Sequence, residues 1–145
     1  MEQKDYLLRE IEKIGIALRG ILMKLTGKDT GAPLAMESRF DFASEMLLKD
    51  AGFNLQQFKA MNEADSKAYL EETKGLIPEN LELLADLFYE LSQRETGALQ
   101  KACLHKALLV LEHCNQKGKT FSFGREEKLG LIKTALEGFC ESRAR

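Results

Sequence analysis

PENLELLADLFYELSQR, residues 78–94, decides the fold class of this chain. Leu81, Leu83, Leu84, Ala85, Leu87, Phe88 and Leu91 cover about half the circumference of a helix at about 100° per residue. A strand would alternate apolar and polar residues, and this stretch follows the helical period instead. Pro78 suits the first helical turn, where its missing N–H is not needed. An apolar face this wide predicts contact with two neighbouring layers.

The same period extends outward in both directions. Upstream, Leu7, Ile11, Ile14, Leu18, Ile21, Leu22 and Leu25 form one stripe of a helix from about Lys4 to Thr26, which Gly27 ends. Pro33 then opens a second helix with Met36, Phe40, Ala43, Leu47 and Ala51 on its buried face, closed by Gly52. Asn54 with Gln57, and Asn62 with Asp65, have the spacing of N-caps for two shorter pieces anchored by Phe58, Met61, Tyr69 and Leu70. Gly75 ends this weaker region. Downstream, Thr96 is expected to cap a helix over 97–117 that Gly118 ends. Ser122 is expected to cap a last helix with Leu129, Ile132, Ala135, Leu136 and Phe139 inward. No segment alternates like a strand. The expectation is an all-α domain of about six helices stacked as antiparallel hairpins.

The chain has 145 residues, 44% hydrophobic and 30% charged, which suits one soluble domain and argues against wholesale disorder. Its opening, MEQKDYLLREIEK, mixes charges into the apolar pattern where a secretory signal would be unbroken. Arg19 and Lys24 interrupt the next most apolar segment, so no membrane span is expected. An odd count of 3 cysteines without a secretory signal fits a cytoplasmic protein with free thiols. The net charge of −2 hides a split, because residues 97–145 carry 9 Lys and Arg against 5 Asp and Glu. That asymmetry allows head-to-tail association, or an acidic partner for the C-terminal part.

ACLHKALLVLEHCN, residues 102–115, holds both histidines and two of the cysteines. Cys103 and Cys114 share a helix face but lie about 16 Å apart along the axis, at about 1.5 Å per residue. No zinc ion, with bonds of about 2.3 Å to thiolates, bridges that span, and no disulfide does either. Their face also carries Leu99, Ala107, Val110 and Leu111, so both read as small core hydrophobes. His105 and His113 read as surface residues. The chain has no G-x-S-x-G, H-E-x-x-H or Walker-type loop, and neither histidine follows a Glu by three residues as in a di-iron helix. Asp86 and Glu90 read as part of a charged solvent face. The expectation is a non-enzyme without cofactor or metal.

Two features point to a partner. Leu8, Gly15, Ile16 and Met23 make a second apolar line on helix one, and Ala35, Phe42 and Met46 lie opposite the core face of helix two. Either these faces are sandwiched inside the monomer or one of them meets another molecule. Leu8, Ile16, Met23, Phe42 and Met46 are the candidate interaction surface. The alternative is a small-molecule or nucleic-acid binder in the basic C-terminal half, where KGKTFSFGREEK (117–128) interleaves cations and aromatics. The acidic balance of the whole chain argues against nucleic acid, and Phe121 before Ser122 suits packing onto the helix entry.

Pro78 to Glu112 resembles a tetratricopeptide-type hairpin, with Leu84, Leu87, Phe88 and Leu91 at large positions of its first helix. Leu104 and Ala107 match the second helix, whereas Gln100 and Glu112 depart from its alanine and closing proline. The whole chain resembles a group of short uncharacterised bacterial proteins through DYLLREIE, LADLFYE and TFSFGREEK. That resemblance implies a small cytoplasmic helical protein and brings no established activity or site residues. The expectation is a single domain over 1–145, with N-terminal helices over 1–75 and tetratricopeptide-like helices over 76–145 packed on them. The function expected is protein–protein interaction or self-association.

Overall fold

The wide apolar face of residues 78–94 is buried on more than one side, as its pattern requires. A computed structural model describes residues 2–26, 39–118 and 123–144, the side chains of 2, 3 and 139–144 excepted. Its elements are α1 (Glu2–Thr26), α2 (Arg39–Ala51), α3 (Leu55–Ala60), α4 (Glu63–Glu72), α5 (Pro78–Arg94), α6 (Gly97–Gly118) and α7 (Phe123–Ala144). All regular structure among the described residues is helical, so the all-α reading holds. Seven helices stand among the described residues where about six were expected, and the two short pieces before Gly75 are separate helices.

α5 is the central element. It packs most extensively on α6, to which only Glu95 and Thr96 join it, and its opposite flank packs on α1. α2 lies on α1, and α7 packs mainly on α6. Leu81, Leu84, Ala85, Leu87, Phe88 and Leu91 are all buried between these layers. Phe58 of α3 reaches Phe88 of α5, with ring centroids 5.8 Å apart, and Phe53 meets Phe58 and Tyr69 edge-on at 5.4 and 5.0 Å. Such edge contacts match the positive rim of one ring to the negative face of the next.

The short helices owe their starts to their caps. Asn54 Oδ1 accepts from the Gln57 N–H at 3.0 Å, and Asn62 Oδ1 accepts from the Asp65 N–H at 2.7 Å. Each satisfies a donor that the first turn leaves without a helical partner. Thr96 does not act this way. The turn into α6 is made by Gly97, in the left-handed region at φ 64°, which a glycine adopts without a Cβ clash. The expected contributions of Gly27, Pro33, Met36, Ala35, Ser122 and Phe121, and the side chains of Phe139 and Cys140, lie outside the described residues.

The last two residues of this hairpin arm tie down two other helices. Arg94 Nε donates to the Leu25 carbonyl at 3.1 Å, satisfying an acceptor at the C-terminal end of α1. The neighbouring Glu95 Oε1 accepts from the Phe40 N–H at 3.2 Å, placing a carboxylate at the positive N-terminal end of α2. Cation and anion thus stand at the helix ends of opposite polarity. Both contacts hold α1 and α2 to the end of α5.

Candidate interaction surface

α1 buries Ile14, Leu18, Ile21 and Leu25 on one side and leaves a row of large apolar side chains on the other. Leu8, Ile16 and Met23 retain 54%, 58% and 47% of their surface, so the second apolar line on this helix is uncovered. Gly15 is the exception on that line. It is buried where a Cβ would lie 3.0 Å from Asn80 Oδ1, so this position serves the seam with α5. Phe42 and Met46 are half-buried and pack against the core from α2. The five candidate residues therefore divide into a solvent-facing set on α1 and a partly covered pair on α2.

The pattern did not foresee the exposure of Tyr6 and Leu7. Leu7 belongs to the main stripe by spacing, yet it is exposed. The cause is length: α1 makes its close contact with the Gly75 turn at Glu10 and Ile11, and the first turns run on past the body. Leu48, Phe123 and Leu131 are exposed as well, on α2 and α7.

A groove of about 460 Å³ opens between α1, α5 and the first half of α7. Leu22, Tyr89, Leu131 and Ile132 supply apolar walls, and Asp86, Glu90 and Lys128 line it too. Asp86 and Glu90, expected on a charged solvent face, are both half-buried here. Lys128 Nζ lies 2.8 Å from Asp86 Oδ1, and Arg94 binds Glu90 at 2.5 Å. Arg125 is buried, 3.6 Å from Glu82, with its Nη1 donating to Cys114 Sγ at 3.5 Å. Two of the four cations in the basic C-terminal stretch are thus spent on seating α7 against α5 and α6.

Cys103 and Cys114 are both fully buried, so their shared face is a core face. Burial pushes the Cys103 thiol up to about 12, which keeps it protonated and unreactive at neutral pH. Burial also raises the Cys114 thiol, with Arg125 opposing. Among the described residues no three His, Cys, Asp or Glu side chains gather closely enough to hold a metal ion. No described helix is long and apolar enough to cross a membrane.

His105 is exposed as expected, but His113 is not. It is 5% exposed, one position before Cys114, with Nε2 3.1 Å from Glu71 Oε1. The α6 stripe is wider than its cysteines alone suggest, because α4 covers this flank. Desolvation lowers the His113 pKa, Glu71 opposes that, and Lys117 and Lys67 add to it. Below pH 6.5 the unfolded chain therefore binds more protons than the folded one. His113's contribution is complete above pH 6.5 and is lost as pH falls toward the folded pKa. Urea midpoints at pH 7.5 and 5.5 are expected to differ more for the natural chain than for His113→Leu. Equal differences would mean that His113 takes up its proton freely.

Lys106 is a further buried charge, 7% exposed on α6. Its Nζ donates to the Met61 carbonyl at 2.7 Å and to Ser66 Oγ, and lies 4.8 Å from the centre of the Phe58 ring. Desolvation lowers its pKa, a property that some nucleophilic lysines share. Here the ammonium is held on three sides, so it acts as a staple between α6 and the α3–α4 corner.

No family model matches the chain. Neither a curated protein nor a solved structure matches it. The uncovered face of α1 is therefore weighed on its own chemistry.

Proposed function

We propose that this chain is a non-enzymatic helical interaction module that holds a protein partner on the outward face of α1. The observation that carries this reading is the exposure of Leu8, Ile16 and Met23 on a helix whose opposite side is already core. Apolar side chains spaced over several turns are what a partner's surface covers in helix-mediated recognition. Phe42 and Met46 belong to the same proposal as flanking contacts from α2. The tetratricopeptide-like reading of the C-terminal half also belongs here. It is supported by the α5–α6 hairpin and by the burial of Leu84, Leu87, Phe88, Leu91, Leu104 and Ala107.

The test pairs native mass spectrometry of the gently purified protein with the variants Ile16→Glu and Met23→Glu. Both side chains are exposed, so each variant is expected to keep its unfolding free energy within about 0.5 kcal/mol. The natural chain is expected to carry additional protein mass that both variants lose. A bare 16.4 kDa species throughout would end this reading. Unfolding of the variants would show that the α1 face is core.

The second reading, a small-molecule binder, draws on the groove beside Tyr89, whose size falls within the range of ligand pockets. Bound small-molecule mass that survives Ile16→Glu would favour it.

A further inference from the structure

We infer that the partner on α1 is a second copy of this chain, packed antiparallel along the same helix; this rests on the reading of α1 as the interaction face. The argument is the order of residues along the exposed stripe. At about 100° per residue, Leu8, Glu12, Ile16, Arg19 and Met23 fall within an arc of about 80°, and all five are exposed. Between Asp5 and Thr26, which stand at the two ends of the same arc, their order is apolar, anionic, apolar, cationic, apolar.

That order is a palindrome with the charges reversed. Its midpoint lies between Gly15 and Ile16. Glu12 and Arg19 stand at equal distances on either side, and so do Leu8 and Met23. A two-fold interface requires that residue i meet residue j while j meets i. Laid antiparallel about this midpoint, each Glu12 faces the other copy's Arg19, each Leu8 faces the other copy's Met23, and the two Ile16 side chains meet near the axis. A parallel pairing would set Glu12 against Glu12 and Arg19 against Arg19.

Two further observations fit. Neither Glu12 nor Arg19 forms an ion pair or a side-chain hydrogen bond with another described residue, so the monomer leaves both charges available. Arg19 instead rests over Gly15, on the edge of the stripe that borders the α5 seam. Gly20, one turn beyond Ile16, is an exposed glycine inside a helix, where a Cβ would meet nothing within 4 Å. Such a glycine costs a helix about 1 kcal/mol relative to alanine, and no described residue comes close enough to require it. It leaves room for a second helix to approach on the Ile16 edge of the stripe.

Sedimentation of the full chain over about 5–500 μM tests the register. The natural chain is expected to show a concentration-dependent dimer. Glu12→Arg and Arg19→Glu each convert two attractive contacts into two repulsive ones and are expected to weaken it about tenfold or more. The double variant Glu12→Arg/Arg19→Glu restores both pairs and is expected to return within about threefold of the natural affinity. An equimolar mixture of the two single variants is expected to form a heterodimer, because one carries two cations and the other two anions. A chain that stays monomeric at the highest concentration overturns the inference, as does a dimer indifferent to the single reversals. If the chain is monomeric but carries a different protein that Ile16→Glu releases, the second copy is wrong and the interaction reading stands. If neither is seen, both fall.

Discussion

Gly75→Ala is expected to destabilise the fold by about 3–5 kcal/mol, a large share of the roughly 5–15 kcal/mol that holds a domain together. Two separate costs combine at this position. Gly75 lies in the left-handed region at φ 92°, where a side chain is strained by about 1–3 kcal/mol. A Cβ there would also sit 2.8 Å from the Glu10 carbonyl carbon and 2.9 Å from its oxygen, both backbone atoms that no rotamer can move. Forcing them apart adds about 1–3 kcal/mol, as overpacking does elsewhere. Relief by sliding α1 away is blocked, because Asn80 Nδ2 donates to both the Ile11 carbonyl at 2.9 Å and the Gly75 carbonyl at 2.8 Å. Gly52 provides the control. It is also left-handed, at φ 71°, but a Cβ there meets nothing within 4 Å. Gly52→Ala should therefore show only the conformational cost, about 1–2 kcal/mol. Urea denaturation of the two variants separates the effects, and equal losses would mean that the α1–α5 seam accepts a methyl group freely.

The contrast between these glycines shows where sequence reading stops. Both were legible as chain terminators, because a glycine after an apolar-periodic run has a local meaning. That Gly75 also presses against the backbone of α1, 65 positions earlier, has no local trace. The same division runs through the polar residues. Asn54 and Asn62 each accept from an N–H three residues ahead, and that spacing announced them. Asn80, Arg94, Lys106 and Arg125 look like ordinary members of a hydrophilic face, and each finds its partner on another helix. Apolar stripes were readable because burial imposes a period. Cross-helix hydrogen bonds were not, because no period records them. His113 was misplaced for that reason: the width of the α6 stripe depends on α4, whose approach the sequence does not state. The candidate surface was half legible. Leu8, Ile16 and Met23 were identifiable as surplus to one stripe, whereas the covering of Phe42 and Met46 depended on how deeply α2 settles.

Lys106→Ala is expected to cost about 3–5 kcal/mol, more than most surface lysines by far. Removing the side chain takes a strong donor from both the buried Ser66 hydroxyl and the Met61 carbonyl, which keep only their long 3.5 Å bond to each other, at about 1–3 kcal/mol for each under-satisfied group. It also opens a cavity beside Phe58, where the ammonium now lies over the ring. Lys106→Met separates these contributions. Methionine refills the space of the aliphatic stem and removes a charge whose burial is itself unfavourable, so only the hydrogen bonds are lost. The expected loss is about 1–2 kcal/mol. The pH dependence distinguishes the two accounts again. Because desolvation lowers the Lys106 pKa from 10.5, the unfolded chain holds more protons between the folded value and pH 10.5. Lys106's contribution to stability therefore rises with pH through that window and is complete above 10.5. Neutral lysine still donates to Met61 and Ser66, so no hydrogen bond has to break. The natural chain is expected to lose less stability between pH 8 and 10 than Lys106→Met. A methionine variant as damaging as the alanine one would put the whole effect in the hydrogen bonds. A methionine variant with an unchanged alkaline profile would show that the ammonium reaches water.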